Sequence, residues 1–401
     1  MDYNIWNKWD TLQTVMLGEC YSPEFFRDIK NNKVRSALQR IADETQEDLE
    51  GYQRILKDFG CTVLRPKLDS NDSIMNYTDN GKLTSIPRSP LQPRDCQLVI
   101  GNSLFYTGND HPGIKQSLDD YSKNFKNINA PLSEISFNGH KGEGAPDWPS
   151  YTDYVQRFVN KQPLSDKPDI HSELVNIHNE EPPMHFAMPA PSITVVGRDI
   201  YIDVWGEMSP MLIDYYCKEF AKMFTNFKIN VLNIGGHNDS CFHTIKLGAI
   251  LSLKEIQTYE NTFPGWDVCY LPDQSWRKVH PFLEMKKKNQ GKWWVPGEEN
   301  NEEFTNFVET WLQDWVGYVE ETVFDINVLV LDEHYVCVSQ PDNEIVNAFL
   351  KKHNMEPVYV PWRHRYFWDG GLHCITLDLK REGIQKDYFP NRQTRVIDKG
   401  F

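Results

Sequence analysis

The chain of 401 residues is short of positive charge: 42 Lys and Arg against 57 Asp and Glu leave a formal net charge of −15. That balance argues against a general binder of nucleic acid or of anionic membranes, while leaving room for a local basic pocket. No run approaches the roughly 18–20 apolar residues of a membrane-spanning helix. The opening Met1-Asp2-Tyr3-Asn4-Ile5-Trp6 has neither a basic stretch nor an apolar one, so a signal peptide is not expected. There is no Gly-rich dinucleotide fingerprint and no phosphate-binding P-loop, so no nucleotide cofactor is expected. The cysteines are Cys20, Cys61, Cys96, Cys217, Cys241, Cys269, Cys337 and Cys374, with no C-x-x-C pair among them. They make neither a zinc ribbon nor a disulfide framework, and read as mostly buried thiols in a reducing cytoplasm.

A hydrophobic fraction of 40% with 25% charged residues is that of a globular protein with a real core. Residues 1–390 read as a single domain with insertions near 110–190 and 281–320, and 391–401 as a tail. Val15–Leu17 predicts a strand, Lys33–Phe59 a helix from its apolar spacing, and Cys61–Leu64 a strand after Gly60. Residues 67–92 read as a loop. Cys96–Ile100 and Ser103–Tyr106 predict a hairpin over Gly101-Asn102. Further on, Ile193–Val196 and Ile200–Val204 are strands and Pro210–Phe224 a helix. Ile229–Leu232 and Ile245–Leu251 are single strands, and Phe304–Val319 a helix. The last unit is a hairpin of Asn327–Leu331 and Tyr335–Ser339, a helix over Asn343–His353, then strands at Pro357–Val360 and Leu372–Leu379. Strand, strand, helix, strand recurs three times. The alternation predicts the α/β class, and such units must pack around a shared axis to bury both faces.

Three places could carry chemistry. Gly370 and Gly371 allow a tight turn that delivers Cys374 to a predicted strand; a thiol so presented is either a nucleophile or an ordinary buried cysteine. His237, after Gly235-Gly236 and before Asn238-Asp239, is either the acid/base partner of such a thiol or a surface histidine on a turn. His243 nearby reads as packed. Asp95, after Gln92-Pro93-Arg94, is either a paired carboxylate of a site or a turn residue capping its own backbone.

The run from Asn327-Val328-Leu329 through Gly370-Gly371-Leu372-His373-Cys374-Ile375-Thr376 to Leu377-Asp378-Leu379-Lys380-Arg381-Glu382-Gly383 resembles the arginine:glycine and inosamine amidinotransferases. So do Asn7–Leu12 with Val15–Gly18, Pro93-Arg94-Asp95, His237-x-Asp239 and Gly248–Ser252, in the family's order. Residues 110–190 and 281–320 do not match well. The resemblance implies the guanidino-modifying superfamily and its pentein-like fold, a five-bladed ββαβ α/β propeller. It implies that Cys374 attacks the guanidino carbon of arginine, that His237 moves the protons, and that Asp95 and Asp239 bind the guanidinium. Arg94 and Arg363 are implied as substrate contacts, with Gly370 and Gly371 giving close backbone approach. Neither metal nor organic cofactor is implied. The partners are a small guanidine donor and an amine acceptor, without nucleic acid or membrane, and a homodimer is a common state at this size.

The chain departs from the family pattern in three places. Where the family has an acidic pair whose first member orients the histidine, this chain has Pro189 and Ser192, leaving Asp203 and Glu181 as candidate carboxylates. Where the family has an arginine for the substrate carboxylate, it has Ile256, with Lys254 nearby. Gly236 stands before the histidine, where a bulkier residue is usual, and widens the room for an acceptor. The leading expectation is amidino transfer to glycine or a larger amine such as an inosamine. An arginine- or agmatine-deiminase-like hydrolase and a non-catalytic guanidine-binding relative are the alternatives.

Overall fold

A computed structural model describes residues 3–84, 86–106, 111–122, 127–129, 190–203, 210–232, 234, 237–253, 259–271, 295–312, 315–316 and 321–392. Five three-stranded sheets share one plan. In each, two strands pair antiparallel and a third runs parallel to the middle one. The first sheet has β5 (Gln97–Ile100), β6 (Ser103–Tyr106) and β7 (Asn127–Asn129). The second has β8 (Ile193–Val196), β9 (Asp199–Asp203) and β10 (Lys228–Leu232), and the third β11 (Phe242–Lys246), β12 (Ala249–Leu253) and β13 (Asp267–Leu271). The fourth has β14 (Leu329–Val330), β15 (Tyr335–Val338) and β16 (Glu356–Tyr359). The fifth joins the two ends of the chain: β17 (Thr376–Arg381) pairs antiparallel with β1 (Leu12–Leu17), and β2 (Thr62–Leu64) runs parallel to β1. A two-stranded hairpin, β3 (Thr78–Asp79) and β4 (Lys82–Leu83), stands apart. This is a five-bladed α/β propeller, with a crossover helix among the described residues in four of the blades.

Helices make the crossover between parallel strands, as chain geometry requires: α1 (Asn32–Asp58), α2 (Pro112–Tyr121), α3 (Pro210–Met223) and, in the fourth blade, α7 (Glu344–Lys352). Between them in chain order lie α4 (Asn238–Cys241), α5 (Glu302–Trp311) and α6 (Glu321–Ile326), and α8 (Arg365–Trp368) follows. Asn31 caps α1 by accepting from the amides of Lys33 and Val34, and Gly60, at φ +104°, ends it. The buried stripe Val34, Leu38, Ile41, Leu49, Tyr52 and Leu56 packs α1 on its blade. Among the described residues no helix is long and apolar enough to cross a membrane.

Several sequence expectations change. Ile245–Leu251 is not one strand but a hairpin, turning at Leu247-Gly248 with Gly248 at φ +84°. The insertion expected to open at 110 begins with α2 and β7, which complete the first blade. The 67–92 loop holds the small β3–β4 hairpin. The helix expected to reach Val319 stops at Trp311, and the last strand starts at Thr376 rather than Leu372.

A buried ion network locks the fifth blade. Asp378 lies between Arg94 Nη2 and Arg381 Nε, each 2.8 Å from one carboxylate oxygen. Arg381 also donates to Val330 O at 2.7 Å and to Asp10 O at 2.6 Å, tying β17 to the fourth blade and to the N-terminal segment. Burial alone would raise the Asp378 carboxyl; Arg381 and Arg94 outweigh it and hold it at about 2. A carboxyl depressed in the folded state adds stability above its unfolded pKa and loses it as pH falls. Here that is on the order of 2–3 kcal/mol, lost between about pH 4 and 2. Asp378→Asn should lower the unfolding free energy at pH 7 by about 3–5 kcal/mol, because two buried guanidiniums lose their partner. Urea unfolding would measure this, and a variant as stable as the parent would contradict it.

Candidate active site

The candidate residues sit on turns that lead into the first strands of the blades. Arg88–Asp95 precede β5, Ser192 precedes β8, His237–Cys241 precede β11, Asn327 precedes β14 and residues 369–375 precede β17. Hydrogen bonds between these turns gather them at one place.

The Cys374 turn is tightly specified. Asp369 caps α8 in the left-handed region, at φ +52°. Gln92 Nε2 donates to Trp368 O at 2.8 Å and to Asp369 O at 3.1 Å. Asn327 Oδ1 accepts from the amides of His373 and Cys374, both at 2.9 Å. Asn327 Nδ2 donates to Asp239 O and to Cys374 Sγ, each at 3.1 Å. Arg94 Nε donates to His373 O at 3.0 Å and to Thr376 O at 2.9 Å.

The two glycines owe their place to these supports. A Cβ on Gly371 would stand 2.7 Å from Asn327 Oδ1, and one on Gly370 would stand 2.5 Å from Gln92 Nε2. Both glycines are thus closely approached by protein side chains.

Around the sulfur, Asp239 Oδ2 is 3.9 Å from Cys374 Sγ and 2.6 Å from His373 Nδ1. Asp239 Oδ1 is buried without a hydrogen-bond partner. Burial pushes the Cys374 thiol well above its ordinary range, and the Asp239 and Asp95 carboxylates push it further. Asp95 is raised by burial, with the charges of His237 and Arg88 drawing it back and Asp239 adding to the rise. Burial and the charges of Arg94 and Lys8 hold His373 well below its usual value, so it is neutral and Nδ1 donates to Asp239. His243, edge-on to His373 with ring centres 4.7 Å apart, is likewise neutral through burial. Burial lowers Lys8 to about 8, against the pull of Asp239.

Cys374, Asp239, Asp95 and His237 therefore share one electrostatic neighbourhood. Two expected substrate contacts are committed elsewhere. Arg94 holds the Cys374 turn and Asp378 from below. Arg363 binds Asp48, Glu47 and the carbonyl of Glu44 on α1, its Nε and Nη2 at 2.7–2.8 Å. Ser192 is buried, and its carbonyl accepts from Asn238 Nδ2 at 3.0 Å. Asp203 Oδ1 accepts from Ile234 N at 3.1 Å. Pro189, Glu181, Gly235, Gly236, Lys254 and Ile256 lie outside the described residues. Among the described residues no group of three or more ligating side chains could hold a metal ion. Sequence reasoning missed His373, Asn327, Gln92 and Lys8. The available signal was a polar residue at the mouth of an apolar strand in each of the first two cases.

No family model matches the chain. Whole-length relatives do. The L-arginine:L-lysine amidinotransferase of Pseudomonas savastanoi pv. phaseolicola is 23% identical over 408 positions, covering 96% of this chain and 95% of that protein. The mitochondrial glycine amidinotransferase of Gallus gallus is 22% identical over 404 positions, covering 96% and 84%. The chain is similar to amidinotransferases over nearly its whole length. Its fold matches an amidinotransferase of saxitoxin biosynthesis from Microseira wollei, with a TM-score of 0.58 at 17% identity over 96% of this chain and 99% of that one. It also matches the inosamine-phosphate amidinotransferase of Streptomyces griseus, with a TM-score of 0.55 at 17% identity and the same coverage.

In this amidinotransferase-like fold Asn327 is the support of the cysteine turn. Asn327→Ala would leave the buried Cys374 amide without its acceptor and His373 N with only its 3.3 Å bond to Asn327 O, at about 1–3 kcal/mol for the unpaired amide. Thermal unfolding should show a clear loss of stability, and an unchanged melting temperature would contradict the assignment.

Proposed function

We propose that the chain is an amidinotransferase that moves the amidino group of L-arginine to an acceptor amine and releases ornithine. One observation carries the reading: the Cys374 sulfur faces the buried carboxylate of Asp239, with that of Asp95 close enough to raise its thiol. Two anions at a buried thiol are costly unless a cation joins them, and a planar guanidinium fits with its N–H groups on the carboxylates and its carbon over the sulfur. The whole-length likeness to enzymes named for arginine, lysine and glycine supports the same reading.

In the resting protein the thiol is protonated. The incoming cation offsets the carboxylates and lowers the cost of the thiolate. Cys374 passes its proton to His237, and Sγ forms a bond to the guanidino carbon as the C=N electron pair moves onto nitrogen. His237 supplies a proton to the departing nitrogen, and the C–N bond to ornithine breaks. In the second half-reaction His237 takes a proton from the acceptor amine, whose nitrogen attacks the amidino carbon and expels the thiolate. His373 acts through Asp239, fixing the carboxylate by its Nδ1–H. Glycine or a larger amine such as an inosamine would serve as acceptor.

Product analysis by mass spectrometry tests this. With guanidino-labelled arginine, a labelled guanidino product, and ornithine beyond one per protein, should form only when an acceptor amine is present. Citrulline formed without an amine would contradict transfer. Cys374→Ala should abolish turnover and keep the fold, and residual activity near that of the parent would defeat the mechanism. Because the thiol is raised, its alkylation by iodoacetamide without substrate should become fast only above the range where a free cysteine titrates, about 8.5. Rapid labelling of Cys374 at pH 6 would argue against a protonated resting thiol.

A further inference from the structure

The buried face of α1 is aliphatic or aromatic except at two places, Thr45 and Asp48. A polar side chain so placed is costly unless it is paired. Both are paired with one short segment, residues 362–370, which carries the chain into the cysteine turn. Asp48 accepts from Arg363 N through Oδ2 and from Arg363 Nε through Oδ1, both at 2.8 Å. Thr45 Oγ1 accepts from Trp368 Nε1 at 2.9 Å and donates to Ile41 O at 2.6 Å. Glu44 adds a third hold, its Oε2 lying 2.6 Å from His364 Nε2.

The segment passes this hold on. Trp362 Nε1 donates to Gly370 O at 2.8 Å, so the residues on either side of α8 are bound to each other. Within the segment, Trp368 N donates to His364 O at 3.0 Å. Gly370 lies against Cys374: a Cβ on it would stand 3.1 Å from Cys374 Cβ. From α1 to the cysteine there is thus a short series of directional bonds, through Arg363, α8 and Gly370.

We propose that Asp48 and Thr45 are positioning residues for the transfer reaction: from α1 they set the orientation of α8, and α8 sets the placing of the Cys374 sulfur. This deepens the amidinotransferase reading and rests on Cys374 being the nucleophile. A buried ion pair gains little stability over apolar packing of the same volume. What Asp48 adds is direction, because its two oxygens fix both the backbone and the side chain of Arg363. Asp95 and Asp239, the carboxylates for the guanidinium, stand before β5 and before β11, outside this segment. Substrate binding and the placing of the sulfur are therefore separable.

Single-turnover ornithine release and the half-saturating arginine concentration, measured together in Asp48→Asn, test the assignment. Asparagine keeps an acceptor for Arg363 N but turns an N–H toward the guanidinium. Release should slow about ten- to a hundred-fold, the scale of a misplacement of about 1 Å, with half-saturation within about two-fold of the parent. Adding Arg363→Met should cost no more, because both changes break one link. Thr45→Val, the milder change, should slow release in the same way, and it carries the test if Asp48→Asn does not fold. Parallel loss of rate and half-saturation, or full rate in a protein of lowered melting temperature, would overturn the assignment and mark these residues as braces of the fold. Additive losses in the double variant would overturn the link through Arg363. Alkylation of Cys374 by iodoacetamide reads the placing without turnover, and at one pH it should be faster in Asp48→Asn than in the parent. If the parent releases no ornithine but alkylation still responds, the transfer reaction fails and the positioning stands. An unchanged alkylation rate overturns the positioning whatever the turnover.

Discussion

Asp378 held between Arg94 and Arg381 is the constraint on which the rest of the structure depends. A propeller closes only if its last strand returns to its first blade, and here β17 must find β1 across almost the whole chain. Backbone pairing alone leaves the register of a two-faced strand weakly specified. The buried carboxylate specifies it, because only one register puts Asp378 within reach of Arg94, 284 residues away in the sequence. Arg94 then reaches on to the carbonyls of His373 and Thr376, so the closure of the ring and the placing of the cysteine turn are one event.

From that closure the chemistry follows. Each blade brings a turn to the same end of the molecule, and the turns differ in what they carry: a carboxylate before β5, a histidine and a carboxylate before β11, an amide before β14, a thiol before β17. None of these groups is reactive in isolation. The thiol is held protonated by burial and by the two carboxylates; burial raises the Asp95 carboxyl against the pull of His237 and Arg88, and Asp239 keeps Oδ1 without a hydrogen bond. A guanidinium resolves both conditions at once. In the proposed reaction, selectivity for a cationic substrate and activation of the thiol would have one electrostatic cause.

Much of the fold was legible because local pattern and tertiary role agree. The apolar stripe of α1, the alternation in β5–β6 and β8–β9, and the hairpin–helix–strand of the fourth blade all read directly. The errors have physical reasons. In β11–β12 the apolar run continues through the turn, so two strands looked like one. In α2 the buried Ile114, Leu118 and Tyr121 are spaced among lysine, glutamine and aspartate and were hidden by them. Cys374, His237, Asp95 and Asp239 were legible as residue types next to glycines and strand starts. Their supports were not: Asn327 serves the cysteine turn from 47 residues away, and Gln92 from well over 200. Arg363 matched a family position in sequence but is occupied by the acidic face of α1.

The proposed reaction turns on a covalent bond between Cys374 and the amidino carbon. The most direct test is a single turnover with guanidino-labelled arginine and no acceptor, quenched in acid and mapped by peptide mass spectrometry. One ornithine should be released per labelled protein, with the label on the peptide containing Cys374. Label on another cysteine, or ornithine released with no labelled protein, would contradict it.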